Sequence, residues 1–350
     1  MQAAPPSPPG TEPDLADKVR FLSDPRSYRH APETVEIRET HMSMVFLAGS
    51  LVYKLKKPVS YAVLDFSTVE LRHEAVEEEV LLNRRLSPEV YLSALALRLD
   101  DGRLSLGPRG RIVDWLVEMR RLPDSETLSA RLAAGTVARE DIRRVVDRLA
   151  EFYRPLPPAA LTAEDYLARY ETEHRKTAEV LSDPQLGFDG ARVGSALTDF
   201  EKALESVRPL LARRIREGRV VEGHGDLRPE HVFLCEHPLI IDCLEFSLDL
   251  RSVDPFDEIT FLGFECAQAG ADWVFPALRQ DLSNALSDDP PAPVLAFYWR
   301  YRALLRARLA LLHLYEPVVR TPWKWRPLAA SCLDLAAEAD ARVATWQGGA

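Results

Sequence analysis

The chain has 350 residues, of which 46% are hydrophobic and 28% are charged, and its formal net charge is −10. This length is long for one hydrophobic core and comfortable for two. The acidic balance argues against nucleic acid as the main partner, because that kind of binding depends on an excess of Lys and Arg.

The N-terminal segment, residues 1–13, is rich in proline, and we predict that it is a disordered tail. It lacks the charged and apolar pattern of a leader, and the chain has no apolar run of membrane-spanning length. The four cysteines form no C-x-x-C pair, which favours free thiols in a reducing compartment. We therefore expect a cytoplasmic protein with no membrane partner. The oligomeric state cannot be predicted from these features.

Two apolar runs, Met44–Ala48 and Leu51–Leu55, are separated by Gly49-Ser50, and this pattern predicts a β-hairpin. The second run ends in a cluster of lysines. In a strand Lys54 and Lys56 point to the same face, so periodicity does not choose between them.

The next segment, Thr68–Leu86, has the composition of a helix. Its predicted apolar stripe consists of Leu71, Ala75, Leu82 and Leu86. Three consecutive acids interrupt it, and a helical projection places Glu78 and Glu79 on the two shoulders of the stripe with Glu77 turned away. We expect one of the two shoulder residues to face inward.

An extended run, Trp115–Pro123, precedes a predicted helix at Ser125–Ala134, and the rest of the chain is mainly helical. Predicted helices cover Glu140–Tyr153, Thr162–Leu181, Val193–Arg216, Glu258–Ala269, Val294–Tyr315 and Pro327–Val343. Gly218 suits the end of the third of these helices. On the helix at Val294–Tyr315, Arg302 and Arg306 share a face and either line an acceptor pocket or pair with nearby carboxylates.

The segment His224–His231 reads His-Gly-Asp-Leu-Arg-Pro-Glu-His, and Ile240–Phe246 follows shortly after it. The apolar runs between Asp226 and Asp242 predict a hairpin with an aspartate loop at each end. Such a hairpin brings the two carboxylates together, and close carboxylates repel unless a cation or a shared proton intervenes. Mg²⁺ with a nucleotide is the usual solution.

These two loops resemble those of the aminoglycoside phosphotransferase and choline kinase group, whose catalytic loop reads His-x-Asp-x4-Asn. The resemblance implies an α+β, two-lobed protein-kinase-like fold. It also implies that Asp226 accepts the proton of the attacking hydroxyl and that Asp242 binds Mg²⁺ on the phosphates of ATP. His224 belongs to the same catalytic loop, mainly as its brace. Upstream, the resemblance assigns Lys54 to the phosphates and Glu79 to the ion pair that positions Lys54.

The resemblance further implies a hinge between a small nucleotide-binding lobe, residues 14–121, and a larger catalytic and substrate lobe, residues 122–350. Backbone groups of Glu118, Met119 and Arg120 would then face the adenine. The alternative for this segment is an ordinary edge strand that leads into a helix. Asp257 matches a family position that ties the catalytic loop to the following helix.

The chain departs from the family pattern at His231, which stands where the family has Asn. Imidazole is a softer ligand than an amide oxygen, so poor metal binding, action through water, and a preference for Mn²⁺ all stay open. The first hypothesis is an ATP-dependent phosphotransferase that acts on a hydroxyl of a small molecule. The second is a nucleotide-binding, pseudokinase-like regulatory protein with little or no transfer. The sequence identifies neither the acceptor nor the choice between ATP and GTP.

Overall fold

The computed structural model describes residues 12–61, 64–316, 319 and 321–347. The predicted tail, residues 1–13, lies almost entirely outside the described residues. Among the helices of the described segments, none combines the length and the apolar character needed to cross a membrane.

The described segments contain helices α1 to α12 and strands β1 to β12. In chain order the helices are Leu15–Leu22, Val69–Arg84, Leu128–Ala133, Arg139–Tyr153, Ala163–Leu181, Gly190–Arg216, Leu248–Arg251, Pro255–Gln268, Val274–Leu286, Ala292–Leu312, Pro322–Ala337 and Ala339–Gln347. The strands are Val35–Glu39, Ser43–Ala48, Leu51–Lys56, Ser60–Tyr61, Leu64–Asp65, Tyr91–Asp100, Arg103–Ser105, Arg111–Arg120, Val221–Glu222, Val232–Phe233, Leu239–Ile240 and Ser252–Val253.

The chain divides into two compact units. The first comprises Met1–Glu126 and Leu239–Asp249, and the second comprises Thr127–Pro238 and Leu250–Ala350. This division differs from a single boundary after residue 121, because the segment that carries Asp242 belongs to the first unit. Ser87, just after α2, holds that segment: its hydroxyl donates to the carbonyl of Ile240 and accepts from the amide of Ile240.

The first unit is built on a six-stranded antiparallel sheet in the order β1-β2-β3-β8-β6-β7. The predicted hairpin is confirmed as β2 and β3, with Met44 opposite Leu55 and Val45 opposite Lys54. Buried side chains from α1, β2 and β3, including Leu22, Phe46 and Leu55, pack into one core. This core fixes β3 in the middle of the sheet, where Lys54 and Lys56 lie.

Helix α2 is present as predicted and begins at its N-cap Thr68, whose hydroxyl accepts from the amide of Leu71. Its buried face differs from the predicted stripe. That face contains Arg72, Val76, Glu79, Val80, Leu82 and Asn83, while Leu71 and Ala75 are only half-buried. The polar members of the face are paired, since Arg72 makes two bonds to the buried Asp114, and paired charges are tolerated inside.

The second unit is mainly helical. Helix α10 runs through its core, where Phe297, Tyr298 and Trp299 are fully buried. Strand β9 pairs with β12 in antiparallel register, and the segment His224–His231 begins two residues after β9 ends. At the end of α6, Gly218 takes the left-handed conformation with a φ of 68°, which confirms its predicted place at the helix terminus.

Candidate active site

In the first unit Lys54 lies between two carboxylates. Its Nζ is 2.9 Å from Oε1 of Glu79 and 2.8 Å from Oδ1 of Asp242. The Glu79 side chain is fully buried, whereas the side chain of Asp242 is 44% exposed. An ammonium carries three N–H donors, and the third on Lys54 has no partner among the residues that the structure describes. Lys54 therefore keeps one donor available to a ligand while two carboxylates hold it in place.

The neighbouring lysine has a different environment. Lys56 Nζ is 2.6 Å from Oε2 of Glu79 and 2.5 Å from Oε1 of Glu245, and its side chain is only 1% exposed. The ring of Phe66 covers the ammonium at 4.9 Å. Burial thus distinguishes the two lysines where periodicity could not: the Lys54 side chain is 15% exposed, and Lys56 is enclosed by protein.

Charge pairing favours the ionised forms of Lys54 and Glu79. Burial alone lowers the pKa of Lys54, but the carboxylates of Asp242 and Glu79 outweigh burial and hold that pKa well above its ordinary value. Burial also raises the pKa of Glu79, and the ammonium groups of Lys54 and Lys56 reverse that effect and lower the pKa overall. Glu79 is therefore the buried partner of both lysines, while Glu77 is exposed and Glu78 is half-buried.

The backbone around Asp242 is held in an unusual conformation. Asp242 has a φ of 63°, in the left-handed region that few non-glycine residues adopt. Its amide donates to the hydroxyl of the buried Tyr91, and the next amide, of Cys243, donates to Oδ1 of Asn83. Such a conformation persists only where the surroundings enforce it, and these two hydrogen bonds help to hold Asp242 in it.

The expected hinge residues lie inside the sheet. Strand β8 lies between β3 and β6: its Glu118 is opposite Tyr53 of β3, and its Met119 is opposite Tyr91 of β6. The alternative of an edge strand was therefore wrong. The amide of Arg120 donates to the carbonyl of Val90. Backbone groups at residues 118–120 therefore pair with the neighbouring strands β3 and β6 and with the residue just before β6. The Glu118 side chain is also bonded, to Ser93 at 2.8 Å.

In the second unit the predicted catalytic loop begins with a tight turn around Gly225. Gly225 has a φ of 87°, which favours glycine. A Cβ on Gly223 would lie 2.5 Å from Oε2 of Glu258 and 2.7 Å from a methyl group of Val253, so a larger residue would force these side chains to move. His224 is fully buried, and its Nδ1 accepts from the amide of Asp226 at 3.2 Å. His224 therefore braces the loop, and Asp226 follows with a side chain that is 28% exposed.

Glu258, at the start of α8, holds this loop in place. Its carboxylate accepts from the amides of His224 and Gly225 and from the hydroxyl of Tyr153 at 2.6 Å. Burial raises the pKa of Glu258 despite these donors. The sequence analysis missed this residue and assigned the tie to its neighbour Asp257. In the structure Asp257 instead pairs with Arg302.

The position of His231 is fixed through one ring nitrogen. Its Nδ1 lies 2.8 Å from the carbonyl oxygen of Asp226, and a carbonyl only accepts, so Nδ1 carries the proton. In the neutral ring Nε2 is then the nitrogen with a lone pair, the atom that a metal would use. His231 closes the 3₁₀ turn Pro229–His231 that follows Asp226.

The two arginines considered for the acceptor pocket are engaged with carboxylates. Arg302 makes bonds of 2.7 and 2.8 Å to the two oxygens of Asp257, and both residues are buried. Arg306 pairs with Glu265. Of the two alternatives for these arginines, the structure therefore has the carboxylate pairing.

The donor set near Asp242 suits a hard divalent cation. Mg²⁺ takes oxygen ligands, and Asp242 offers a carboxylate on a partly exposed side chain. The cluster also combines two ammonium groups with three carboxylates, those of Glu79, Asp242 and Glu245, and so has an excess of one negative charge. The imidazole of His231 suits a softer ion better than Mg²⁺.

Comparison with known proteins gives the following results. No family model matches the chain. An uncharacterised protein of Mycobacterium tuberculosis H37Rv is 30% identical over 280 residues, which is 79% of this chain and 54% of that protein. An uncharacterised protein of Mycobacterium bovis gives the same values. The chain thus spans about half the length of the curated relatives it matches.

Among solved structures, the choline kinase of Cryptosporidium parvum Iowa II is similar with a TM-score of 0.59 at 8% sequence identity. The match covers 95% of this chain and 97% of that chain. A likeness so distant in sequence establishes the fold. The chain therefore has the protein-kinase-like α+β fold of choline kinase, with a small β-rich N-terminal unit and a larger, mainly helical one, as the sequence predicted.

Proposed function

We propose that this chain is a phosphotransferase that moves the γ-phosphate of ATP, or of another nucleoside triphosphate, to a hydroxyl of a small molecule. The observation that carries the proposal is Lys54, held between the buried Glu79 and the partly exposed Asp242 with one N–H donor left for a ligand. Such a lysine, in a kinase-like fold, suits the phosphates of a nucleotide. The choline kinase with the same fold is named for a small-molecule acceptor.

In this proposal each residue has one task. Lys54 binds phosphate oxygens, and Glu79 keeps its ammonium charged and oriented. Asp226 accepts the proton of the attacking hydroxyl, with His224 holding its backbone. Asp242 would hold Mg²⁺ or Mn²⁺, which when bound neutralises charge on the phosphates.

The test is transfer of phosphate by the purified chain. ATP and GTP, each with Mg²⁺ or Mn²⁺, are first screened for thermal stabilisation, because a ligand at about 100 times its Kd adds about 2.7 kcal/mol to the free energy of unfolding. A mixture of hydroxyl metabolites is then assayed for nucleotide-dependent phosphorylation. Asp226→Asn is the control, and we expect it to bind nucleotide but to lose at least about 100-fold in rate. Equal rates for the two proteins would refute the assignment of Asp226.

A second candidate function is nucleotide binding with little or no transfer. It is favoured by the bond from His231 to the Asp226 carbonyl, which engages the imidazole in bracing the loop. The variant His231→Asn separates the candidates. If wild type is inactive and the variant transfers phosphate, the binding protein is the correct reading. Turnover by wild type excludes it.

A further inference from the structure

The loop that carries Asp242 is anchored to β3 at two points. Residues 241–247 form neither helix nor strand. Lys54 contacts Asp242 at 2.8 Å, and Lys56, two residues further along the same face of β3, contacts Glu245 at 2.5 Å. The two ion pairs therefore connect the strand β3 to the loop at two positions.

Glu79 connects the two ion pairs because it accepts from both lysines. Its Oε1 bonds Lys54 and its Oε2 bonds Lys56, so both oxygens of one buried carboxylate are used. An ammonium as enclosed as that of Lys56 loses most of its hydration, and such a group is stable only when it is paired on several sides. The pairing with Glu79 and Glu245 satisfies this requirement and fixes Glu245 relative to the strand.

We propose that Lys56 and Glu245 are a positioning pair that holds Asp242 in its metal-binding conformation. The inference rests on the proposed function, since it assigns the pair a role toward the divalent cation of the nucleotide. Neither residue needs to touch that cation. The ion pair acts on the cation through the short segment that joins Glu245 to Asp242. Asp242 has a left-handed backbone conformation, which requires support from its surroundings.

The structure supports this role over plain packing in two ways. First, Lys56 pairs with Glu245 of the loop as well as with Glu79, so it links the loop to β3 in addition to compensating the charge of Glu79. Second, the hydrogen bonds from the amides of Asp242 and Cys243 to Tyr91 and Asn83 act at Asp242 itself and at the residue after it. The pair with Lys56 lies three residues later and fixes the opposite side of Asp242.

The experiment compares wild type with the double variant Lys56→Met/Glu245→Gln. The substitution leaves one ammonium and two carboxylates in the cluster, so its excess of one negative charge is unchanged. Calorimetry measures the Kd of ADP in EDTA and of ADP with MgCl₂. We expect the metal-free Kd to change by less than about twofold because Lys54 and Glu79 remain, while the gain in affinity from Mg²⁺ falls by about tenfold or more.

Two further variants protect the test against a simple loss of stability. Glu245→Gln alone keeps an oxygen that accepts from Lys56, and we expect it to lose only part of the Mg²⁺-dependent gain. Lys18→Met is the matched control. It removes a second buried lysine of the same unit, whose partner Asp114 keeps Arg72, so it should lower the melting temperature without changing the Mg²⁺-dependent gain.

The outcomes distinguish this inference from the proposed function. If wild type binds no nucleotide under any condition, both are overturned. If wild type gains affinity from Mg²⁺ and the double variant gains as much, only the positioning pair is overturned. An equal loss of affinity for ADP with and without Mg²⁺ also overturns it, because that result indicates general damage to the unit.

Discussion

Replacing Glu258 tests how the loop at His224–His231, the predicted catalytic loop, is held. The carboxylate accepts from two backbone amides of the loop, those of His224 and Gly225, and from the hydroxyl of Tyr153. Glu258→Ala removes the acceptor and leaves three donors in a buried site. The variant Tyr153→Phe removes only one donor and leaves the two loop amides satisfied.

The magnitude follows from the number of donors. Each buried donor without a partner costs about 1–3 kcal/mol, so Glu258→Ala should lower the free energy of unfolding by at least about 3 kcal/mol. That is a large part of the roughly 5–15 kcal/mol typical of a folded protein. Tyr153→Phe should cost about 1.5–3 kcal/mol, the range for a hydrogen bond to a charged group. The cost of Glu258→Gln should lie between these two values, because the amide oxygen of Gln still accepts but its NH₂ group faces another donor.

Hydrogen exchange of the peptide that covers residues 222–227, together with urea unfolding, measures these effects. We expect faster exchange at His224 and Gly225 in the Glu258 variants and little change in Tyr153→Phe. Glu265→Ala is the control, since it removes another carboxylate of α8 that pairs with Arg306 instead of the loop. If Glu258→Ala costs less than about 1 kcal/mol and leaves exchange unchanged, Glu258 does not hold the loop.

The pH dependence of stability gives a second measure of the same group. The pKa of Glu258 is raised above its ordinary value of 4.5 by burial. Between the ordinary and the raised pKa the folded state binds more protons than the unfolded state, so the free energy of unfolding falls as the pH rises through that window. Glu258→Gln removes this contribution. Urea titrations above pH 4.5 should therefore show a weaker decline for the variant, and parallel curves would contradict the assignment.

Three further predictions concern the lysine cluster, the Asp242 backbone and the buried arginine. Lys54→Met should weaken ADP binding at least about tenfold by calorimetry, yet lower the melting temperature less than Lys56→Met, whose ammonium is almost fully enclosed. Asp242→Gly should be more stable than Asp242→Ala by about 1 kcal/mol in urea, because alanine is strained at a φ of 63°. Asp257→Asn should cost about 3–5 kcal/mol by leaving Arg302 unpaired in the core, and adding Arg302→Met should recover part of this.

The parts of the fold set by local chemistry could be predicted from the sequence. The hairpin of β2 and β3, the start of α2 at Thr68 and the glycine at the end of α6 each depend on residues within a few positions of one another. The buried face of α2 could not be predicted in the same way. A stripe of apolar residues marks a buried face only when the interior is apolar, and this face holds Arg72 and Glu79 against partners that are distant in sequence.

The hinge shows the same limit in the backbone. An extended segment has the same sequence pattern whether its neighbours lie on one side or on both, because strand pairing depends on residues far along the chain. Pairing of β8 with both β3 and β6 uses the backbone groups of Glu118 and Met119 that were expected to face a nucleotide. The sheet order therefore decides which backbone groups of an extended segment are paired with a neighbouring strand.

Prediction from the sequence is most limited for adjacent residues of the same type, because their roles depend on the direction in which each side chain points. Asp257 and Glu258 are consecutive, and side chains one position apart on a helix point about 100° away from each other. One reaches Arg302 on α10 and the other reaches the amides before Asp226. A motif records that an acid is present, but only the packing of α8 decides which acid meets the loop. The same reasoning applies to Lys54 and Lys56: they share a face of β3, and the loop of residues 241–247 determines that one stays accessible while the other is enclosed.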